Sequence, residues 1–276
     1  MKIVLFPNLH KPGAAEIAES IVAFLHSHGV DVVADILSAP TLGLCPFDPK
    51  APELPDICIT LGGDGTILRV VHEYPDLQIP VLGVNLGHLG FMAEVPREGL
   101  LRALENLVAR NYTIEERLVI NVDHGRQFAV NDVVLHRGPN PSLIELSVSV
   151  DGTWVNTFVA DGLILATPAG STAYNLAAGG PIVVPDIEAV VLTPICPHTI
   201  SNRPVLLPAH REITISVVTA RMPVEVTVDG LRDHPLEAGQ TLHLTRATRG
   251  FRILALPHRD YYDILRTKLG WSGKLV

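Results

Sequence analysis

Asp56-Ile-Cys-Ile-Thr-Leu-Gly-Gly-Asp-Gly-Thr-Ile-Leu68 is the stretch on which the fold turns. Ile57 to Leu61 is apolar and β-branched between Pro55 and Gly62, the composition of a strand buried on both faces of a parallel sheet. Thr66 to His72 opens a helix. The connection holds Gly62, Gly63 and Gly65 around Asp64, which suits a backbone that turns tightly and approaches something closely. Such a turn offers backbone N–H groups and a helix N-terminus to an anion, and phosphate is the obvious guest. The alternative is an ordinary turn with Asp64 as a helix cap. Against it, a carboxylate beside a phosphate cradle is electrostatically unfavourable, so Asp64 is expected to hold Mg²⁺ or to accept a proton from an attacking hydroxyl. No Gly-Lys-Ser/Thr follows the glycines, so this is not a Walker loop.

Outward from that tract, Ile3 to Phe6 reads as a first buried strand, and a helix carries Ala15, Ala18, Ile21, Val22 and Leu25 up to Gly29. Val30 to Leu37 then completes a βαβ unit and implies a parallel sheet. Ala39 to Pro55 contains five prolines and is expected to be a loop, long enough to act as a flap. Ile79 to Val84 is another buried strand, leading into a second glycine-rich turn, Asn85 to Phe91. His88 reads there as a turn residue, whereas Phe91 suits either an aromatic base or the core. Leu100 to Val108, with Leu101, Leu104 and Val108 on one face, closes the first domain as a helix.

From Leu118 the pattern changes to short alternating runs: 118–122, 127–135, 143–150, 153–159, 163–166, 213–218, 224–228 and 240–244. Asp151-Gly152 and Asp229-Gly230 separate pairs of them as hairpin turns do, so this half is all-β. Phe251 to Leu256 is a last strand and Tyr261 to Leu269 a terminal helix, whose Tyr262, Leu265 and Leu269 form an apolar stripe.

With 276 residues, 47% hydrophobic and 18% charged, the chain has room for two domains with large cores and is no disordered polymer. That balance also hints at subunit interfaces. A net charge of −8 argues against general nucleic-acid binding, which needs a positive surface field. Residues 1 to 64 carry three lysines against eight acids, and residues 241 to 276 seven Lys/Arg against two acids, so the two ends are complementary in charge. Cys45, Cys58 and Cys196 are odd in number without metal-ligand spacing, which suits reduced thiols. Met1 to Phe6 is too short for a signal-peptide core, and no run reaches the about 18 apolar residues a membrane span needs. The expectation is a soluble cytoplasmic protein.

Three tracts break the β alternation: Ala129 to Asp132; Asp161 to Tyr174 with Gly179-Gly-Pro181; and Ile195 to Thr199 followed by Arg203-Pro204. Small hydroxylated residues, glycines and one tyrosine suit a surface that hydrogen-bonds a ribose and lets a flat base lie close to the backbone. Together with Gly-Gly-Asp-Gly-Thr and the Asn85 to Phe91 turn, these tracts resemble, in order and over nearly the whole chain, the motif set of the ATP-NAD kinases. The glycine tract alone is shared with diacylglycerol and sphingosine kinases, and Asp161 to Tyr174 separates the two groups.

The resemblance implies α/β plus all-β architecture: an N-terminal Rossmann-like domain over 1–115, a C-terminal β-sandwich NAD-binding domain over 116–256, and a terminal helix within 257–276 returning to the first. It implies transfer of a phosphoryl group from ATP, or from polyphosphate, to the 2′-hydroxyl of the adenosine ribose of NAD, giving NADP. Carried over residue by residue, Asp64 is the base and also touches NAD with Gly65. Gly62, Gly63, Gly65, Thr66 and Arg69 form the phosphate site, Phe91 meets adenine, and Asn131 with Asp132 holds ribose hydroxyls. Asp161, Thr172, Ala173 and Tyr174 contact NAD, Asp161 on behalf of a neighbouring subunit in a homodimer or homotetramer with NAD sites near the subunit interface. No metal cage is implied, so Mg²⁺ arrives with the donor's phosphates. Two departures stand out: Asp132 replaces the family's usual glutamate, and Ala169 lacks a hydroxyl common there. Structural readings stand beside these roles, with Asp161-Gly162 as a hairpin turn, Tyr174 in the core and Arg203 paired with an interior carboxylate. The rival functions are a lipid or sphingoid-base kinase and a non-catalytic NADP-binding sensor.

Overall fold

A computed structural model describes residues 1–75, 78–87, 90–257 and 260–271. His88 lies outside the described residues. The chain divides into two compact units, 1–116 with 251–276, and 117–250.

The first unit opens with β1 (Lys2–Pro7), α1 (Ala14–Ser27) and β2 (Asp31–Ala34). Strand β2 is shorter than the sequence suggests because the side chain of Asp35 accepts from the amides of Leu37 and Ser38 and turns the chain away. The proline-rich segment is not wholly irregular. It contains α2 (Ala39–Leu42), one turn with Pro40 at its start where no N–H is needed, and β3 (Cys45–Pro46), a two-residue strand at the sheet edge where proline is tolerated. Next come β4 (Ile57–Gly62), buried throughout, α3 (Asp64–Glu73), β5 (Val81–Asn85), β6 (Val95–Pro96), α4 (Leu100–Val108) and β7 (Thr113–Arg117). Helix α4 buries Ala103, Leu104 and Leu107 while Leu101 is 59% exposed, so its inward face lies one residue round from the expected one.

The parallel order β3-β2-β1-β4-β5 places β1 between strands reached in opposite directions. The loops after β1 and β4 therefore diverge at their carboxyl ends and open the crevice in which such sheets bind ligands. Ile3, Leu5, Ile59, Leu61, Leu82 and Val84 pack beneath it against Ile17, Ile21 and Leu25 of α1.

The second unit is two six-stranded antiparallel sheets. Its elements are β8 (Ile120–Val122), β9 (Gln127–Ala129), β10 (Asp132–His136), β11 (Ile144–Val150), β12 (Thr153–Ala160), β13 (Gly162–Ala166), the short helix α5 (Tyr174–Ala177), β14 (Ala189–Ile195), β15 (Val205–Pro208), β16 (Ile213–Thr219), β17 (Glu225–Val228), β18 (Leu231–Arg232) and β19 (Thr241–Arg246). One sheet runs β15-β14-β13-β10-β17-β18 and the other β12-β11-β16-β19-β8-β9. Val133, Leu135, Leu163 and Leu165 of the first meet Leu146, Val148, Ile215 and Leu242 of the second, which makes this a sandwich. Asp151 and Asp229 have left-handed backbones, φ 48° and 49°, with glycine following each, as two-residue hairpins require. The run expected over 127–135 is broken at Val130 and Asn131, and β14 and β15 went unread because Pro194 and Pro208 mask them.

The chain then returns with β20 (Phe251–Ala255) and α6 (Tyr261–Leu269). Strand β20 extends the first unit's parallel sheet beside β5, with β7 beyond it, rather than closing the sandwich as the sequence suggested. Its Phe251, Ile253 and Leu254 are buried without strict alternation, the mark of a strand covered on both faces. Helix α6 buries Ile264 and Leu265, whereas Tyr262, assigned to its apolar stripe, is 53% exposed.

Candidate functional site

Helix α3 begins at Asp64 itself, behind the extended Gly63, and no side chain caps it. The Asp64 carboxylate turns instead to the second glycine turn, where Oδ2 accepts from Phe91 N at 2.9 Å and Oδ1 from Met92 N at 3.0 Å and Ala93 N at 2.8 Å. The helix-cap alternative is thereby excluded. Gly90 is required because a Cβ there would collide with Asp64 Oδ1. Three of about four carboxylate acceptor positions are filled, which leaves one on Oδ2 for a substrate hydroxyl. The same bonds fix the turn that presents the half-buried Phe91, whose ring carries the ammonium of Lys268 from α6 at 4.5 Å from its centroid.

Beside this turn lies a cavity of about 200 Å³ lined by Asn8, Lys11, Gly63, Gly65, Thr66 and Arg69. It sits where the crevice between β1 and β4 predicts, since the β1–α1 loop is pinned to β4 by Asn8 N donating to Leu61 O at 2.8 Å. Two cationic side chains and the first turn of a ten-residue helix line one space, an arrangement suited to phosphate. Asn8 and Lys11 escaped the sequence reading because nothing local marks them; only strand order brings their loop to the glycine tract.

In the second unit, three tracts far apart in sequence converge. The Asp229 carboxylate accepts from the amides of Val130 at 2.8 Å, Asn131 at 2.7 Å and Asp132 at 3.0 Å. From the other side Thr167 N donates to Asn131 O at 2.8 Å and Thr167 Oγ1 to Val130 O at 2.5 Å, while Gly170 lies so close to Asn131 that a Cβ would overlap its carbonyl. Asn131 and Asp132 are thus held in a shaped bend, and Asp229, read as a mere hairpin residue, is one of its anchors. Asp132 is 6% exposed. Burial, and second to it the Asp229 charge, pushes its carboxyl up from 3.8 to about 7.

Thr172, Ala173 and Tyr174 follow on the same tract, with Thr172 Oγ1 donating to Ala169 O at 3.1 Å and Tyr174 43% exposed, so Tyr174 is not core. Behind them Asn175 is fully buried and donates to Ser171 O and Pro181 O while accepting from Thr193 Oγ1 at 2.6 Å. Asp161 links β12 to β13, which belong to different sheets, so Asp161-Gly162 is not a hairpin turn, and its Oδ1 pairs with Arg137 Nε at 2.6 Å. Arg203 is exposed and donates to the carbonyls of Ile200 and Asn202, not to an interior carboxylate.

Comparison with known proteins agrees with both halves. The ATP-NAD kinase N-terminal domain family matches residues 45–112 and the ATP-NAD kinase C-terminal domain family residues 130–256. The NAD kinase of Protochlamydia amoebophila is 44% identical, with 99% of each chain covered. The chain belongs to the ATP-NAD kinase family. The NAD kinase of Geotalea daltonii is 38% identical over 99% of each chain. Yeast NADH kinase, solved with NADH, superposes with a TM-score of 0.91 at 28% identity, covering 100% of this chain and 89% of that one. An Archaeoglobus fulgidus NAD kinase, solved with ATP, shares the fold with a TM-score of 0.76. As an ATP-NAD kinase the chain is a phosphotransferase acting on an alcohol acceptor, which sets the lipid-kinase and sensor readings aside.

The fold is the expected one, a mixed α/β unit with a parallel sheet and a β-sandwich. Cys58 is buried, which pushes its thiol far up, while Cys45 and Cys196 are exposed and free. No helix is long and apolar enough to cross a membrane among the described residues.

Proposed function

We propose that in this ATP-NAD kinase the donor's phosphates bind in the cavity of Asn8, Lys11, Gly63, Gly65, Thr66 and Arg69, and that Asp64 is the base that relieves the acceptor hydroxyl of its proton. The observation that carries the reading is the Asp64 carboxylate itself, fixed by three backbone amides with one acceptor position open, between two glycines that line the cavity. The ribose 2′-oxygen of NAD bonds to the phosphorus, and the bond from that phosphorus to its bridging oxygen breaks, with the electron pair leaving on ADP. The hydroxyl proton passes to Asp64 Oδ2. Alignment and charge stabilisation supply most of such a rate.

On the acceptor side, Asn131 and Asp132 hold ribose hydroxyls, Thr172, Ala173, Tyr174 and Asp161 contact NAD, and Phe91 meets the adenine. The relative solved with NADH supports a dinucleotide acceptor, and the one named for ATP a nucleoside triphosphate donor. Among the described residues no three His, Cys, Asp or Glu side chains gather to hold a metal, and the cavity's charged side chains are cationic. Such a lining would not hold a magnesium ion by itself; one carried by the donor's phosphates would offset their charge. A cytoplasmic homodimer or homotetramer completes the proposal; Trp154 and Val155, exposed on the edge strand β12, support self-association.

The deciding experiment mixes the protein with ATP, Mg²⁺ and NAD and follows NADP with an NADP-specific dehydrogenase, with polyphosphate and diacylglycerol in parallel arms. NADP formation by the wild type and its collapse in Asp64→Asn support the reading. Undiminished turnover in Asp64→Asn would remove the base from this site. Light scattering in the same buffer gives the oligomeric state.

A further inference from the structure

Lys11 reaches from the β1–α1 loop to a carbonyl 51 residues away, with Nζ donating to Gly62 O at 3.0 Å. The loop itself is shaped to send it there, since Lys11 N donates to Asn8 O and Ala14 N to Lys11 O. A Cβ built on Gly63 would lie 3.7 Å from Nζ and one on Gly87 3.9 Å, so the ammonium sits between the two glycine turns. It has three N–H donors, and the bond to Gly62 uses one.

Among the described residues neither Lys11 nor Arg69 pairs with a carboxylate. Two cations at one cavity with no carboxylate partner among the described residues, one of them half-buried, make an electrostatic demand for an anion, and the helix N-terminus adds to it. The lining is charged, polar or glycine, with no aromatic or aliphatic side chain to read a base. What fits is a chain of phosphates.

We propose that Lys11 is a catalytic residue of the transfer, its two remaining N–H groups binding non-bridging oxygens of the donor's phosphate chain opposite Arg69. The bond to Gly62 O fixes the ammonium to the strand that ends in the glycine turn, so the charge is already placed when the donor arrives and stays on the phosphoryl group as it moves. This rests on the kinase reading above.

The test is steady-state kinetics on Lys11→Met and Lys11→Arg with ATP and NAD varied separately, and with inorganic triphosphate as an inhibitor competing with ATP. Losing a preorganised donor to developing charge is expected to lower kcat/KM for ATP by about 10²- to 10³-fold in Lys11→Met. The inhibition constant for triphosphate should rise about tenfold, with KM for NAD within about twofold of wild type. Lys11→Arg keeps the charge and should recover part of the loss. Unchanged ATP and triphosphate values overturn the proposal. So do equal losses for ATP and NAD with a lowered melting temperature and no recovery in Lys11→Arg, which would make the Gly62 bond merely structural. Should Lys11→Met not fold, Lys11→Gln carries the same comparison. A wild type that makes no NADP defeats the kinase reading instead, and calorimetry of triphosphate binding to wild type and Lys11→Met then still decides the role of Lys11.

Discussion

Replacing Asp132 by asparagine should stabilise this protein and weaken its grip on substrate together. Asp132 starts β10, pairs across to Ala166, is nearly enclosed, and has the Asp229 charge beside it. Its carboxyl is raised from 3.8 to about 7. Between those two values the folded chain holds a proton that the unfolded chain has released, so stability falls as pH rises through the window and levels off above 7. A little over three pH units at about 1.36 kcal/mol each sets a ceiling of about 4 kcal/mol on the cost at pH 8. Asp132→Asn keeps the size and abolishes the charge, so it should be about 2–4 kcal/mol more stable than wild type at pH 8, with the gap closing toward pH 4. Urea unfolding followed by circular dichroism from pH 4 to 8 measures this directly. Binding should move the other way. A charge-assisted bond to ribose hydroxyls contributes about 1.5–3 kcal/mol, so KM for NAD should rise about 10- to 150-fold at pH 8 with kcat less affected. In wild type KM for NAD should climb as pH drops below 7, and in the variant this dependence should be lost. A stability gap independent of pH would refute the electrostatic argument, and an unchanged KM would remove Asp132 from the NAD site.

Asp64→Asn should lower kcat by about 10²–10⁴-fold. Because an asparagine has only one acceptor oxygen for the Phe91, Met92 and Ala93 amides, it should also cost about 1–3 kcal/mol of stability; an unaltered melting curve would count against the anchoring. Asp229→Ala strips the shared acceptor from the amides of 130–132 and should raise KM for NAD while sparing KM for ATP, and parallel changes in both would contradict its local role. Truncation after Leu256 removes the buried Ile264 and Leu265, each worth about 1.5–3 kcal/mol, and uncovers Phe91, so a truncated protein with wild-type melting temperature and activity would show α6 to be dispensable.

The sequence by itself determined the class of each half. A both-face-buried strand such as Ile57 to Leu61 declares a parallel sheet, and the alternating run over 144–150 declares a half-wet antiparallel one, because burial on two faces or one writes itself into the residue period. It also exposed the glycine tract and the tracts over 129–132 and 161–174, since glycines, small hydroxyls and a lone carboxylate answer local backbone demands. Partnership between distant residues was another matter. That Asp64 is tied to the amides after Gly90, that Asp229 braces Asn131, that Arg137 pairs with Asp161 and that Lys11 overhangs Gly62 depends on strand order and register, which no local pattern carries. The destination of Phe251–Ala255 was hidden for the same reason: five buried-looking residues fit either core, and only pairing with β5 assigns them to the first. The Asp132 carboxyl shows the limit most sharply. Its identity is legible in the sequence, but its charge state at neutral pH is set by the enclosure and the second carboxylate that folding brings beside it.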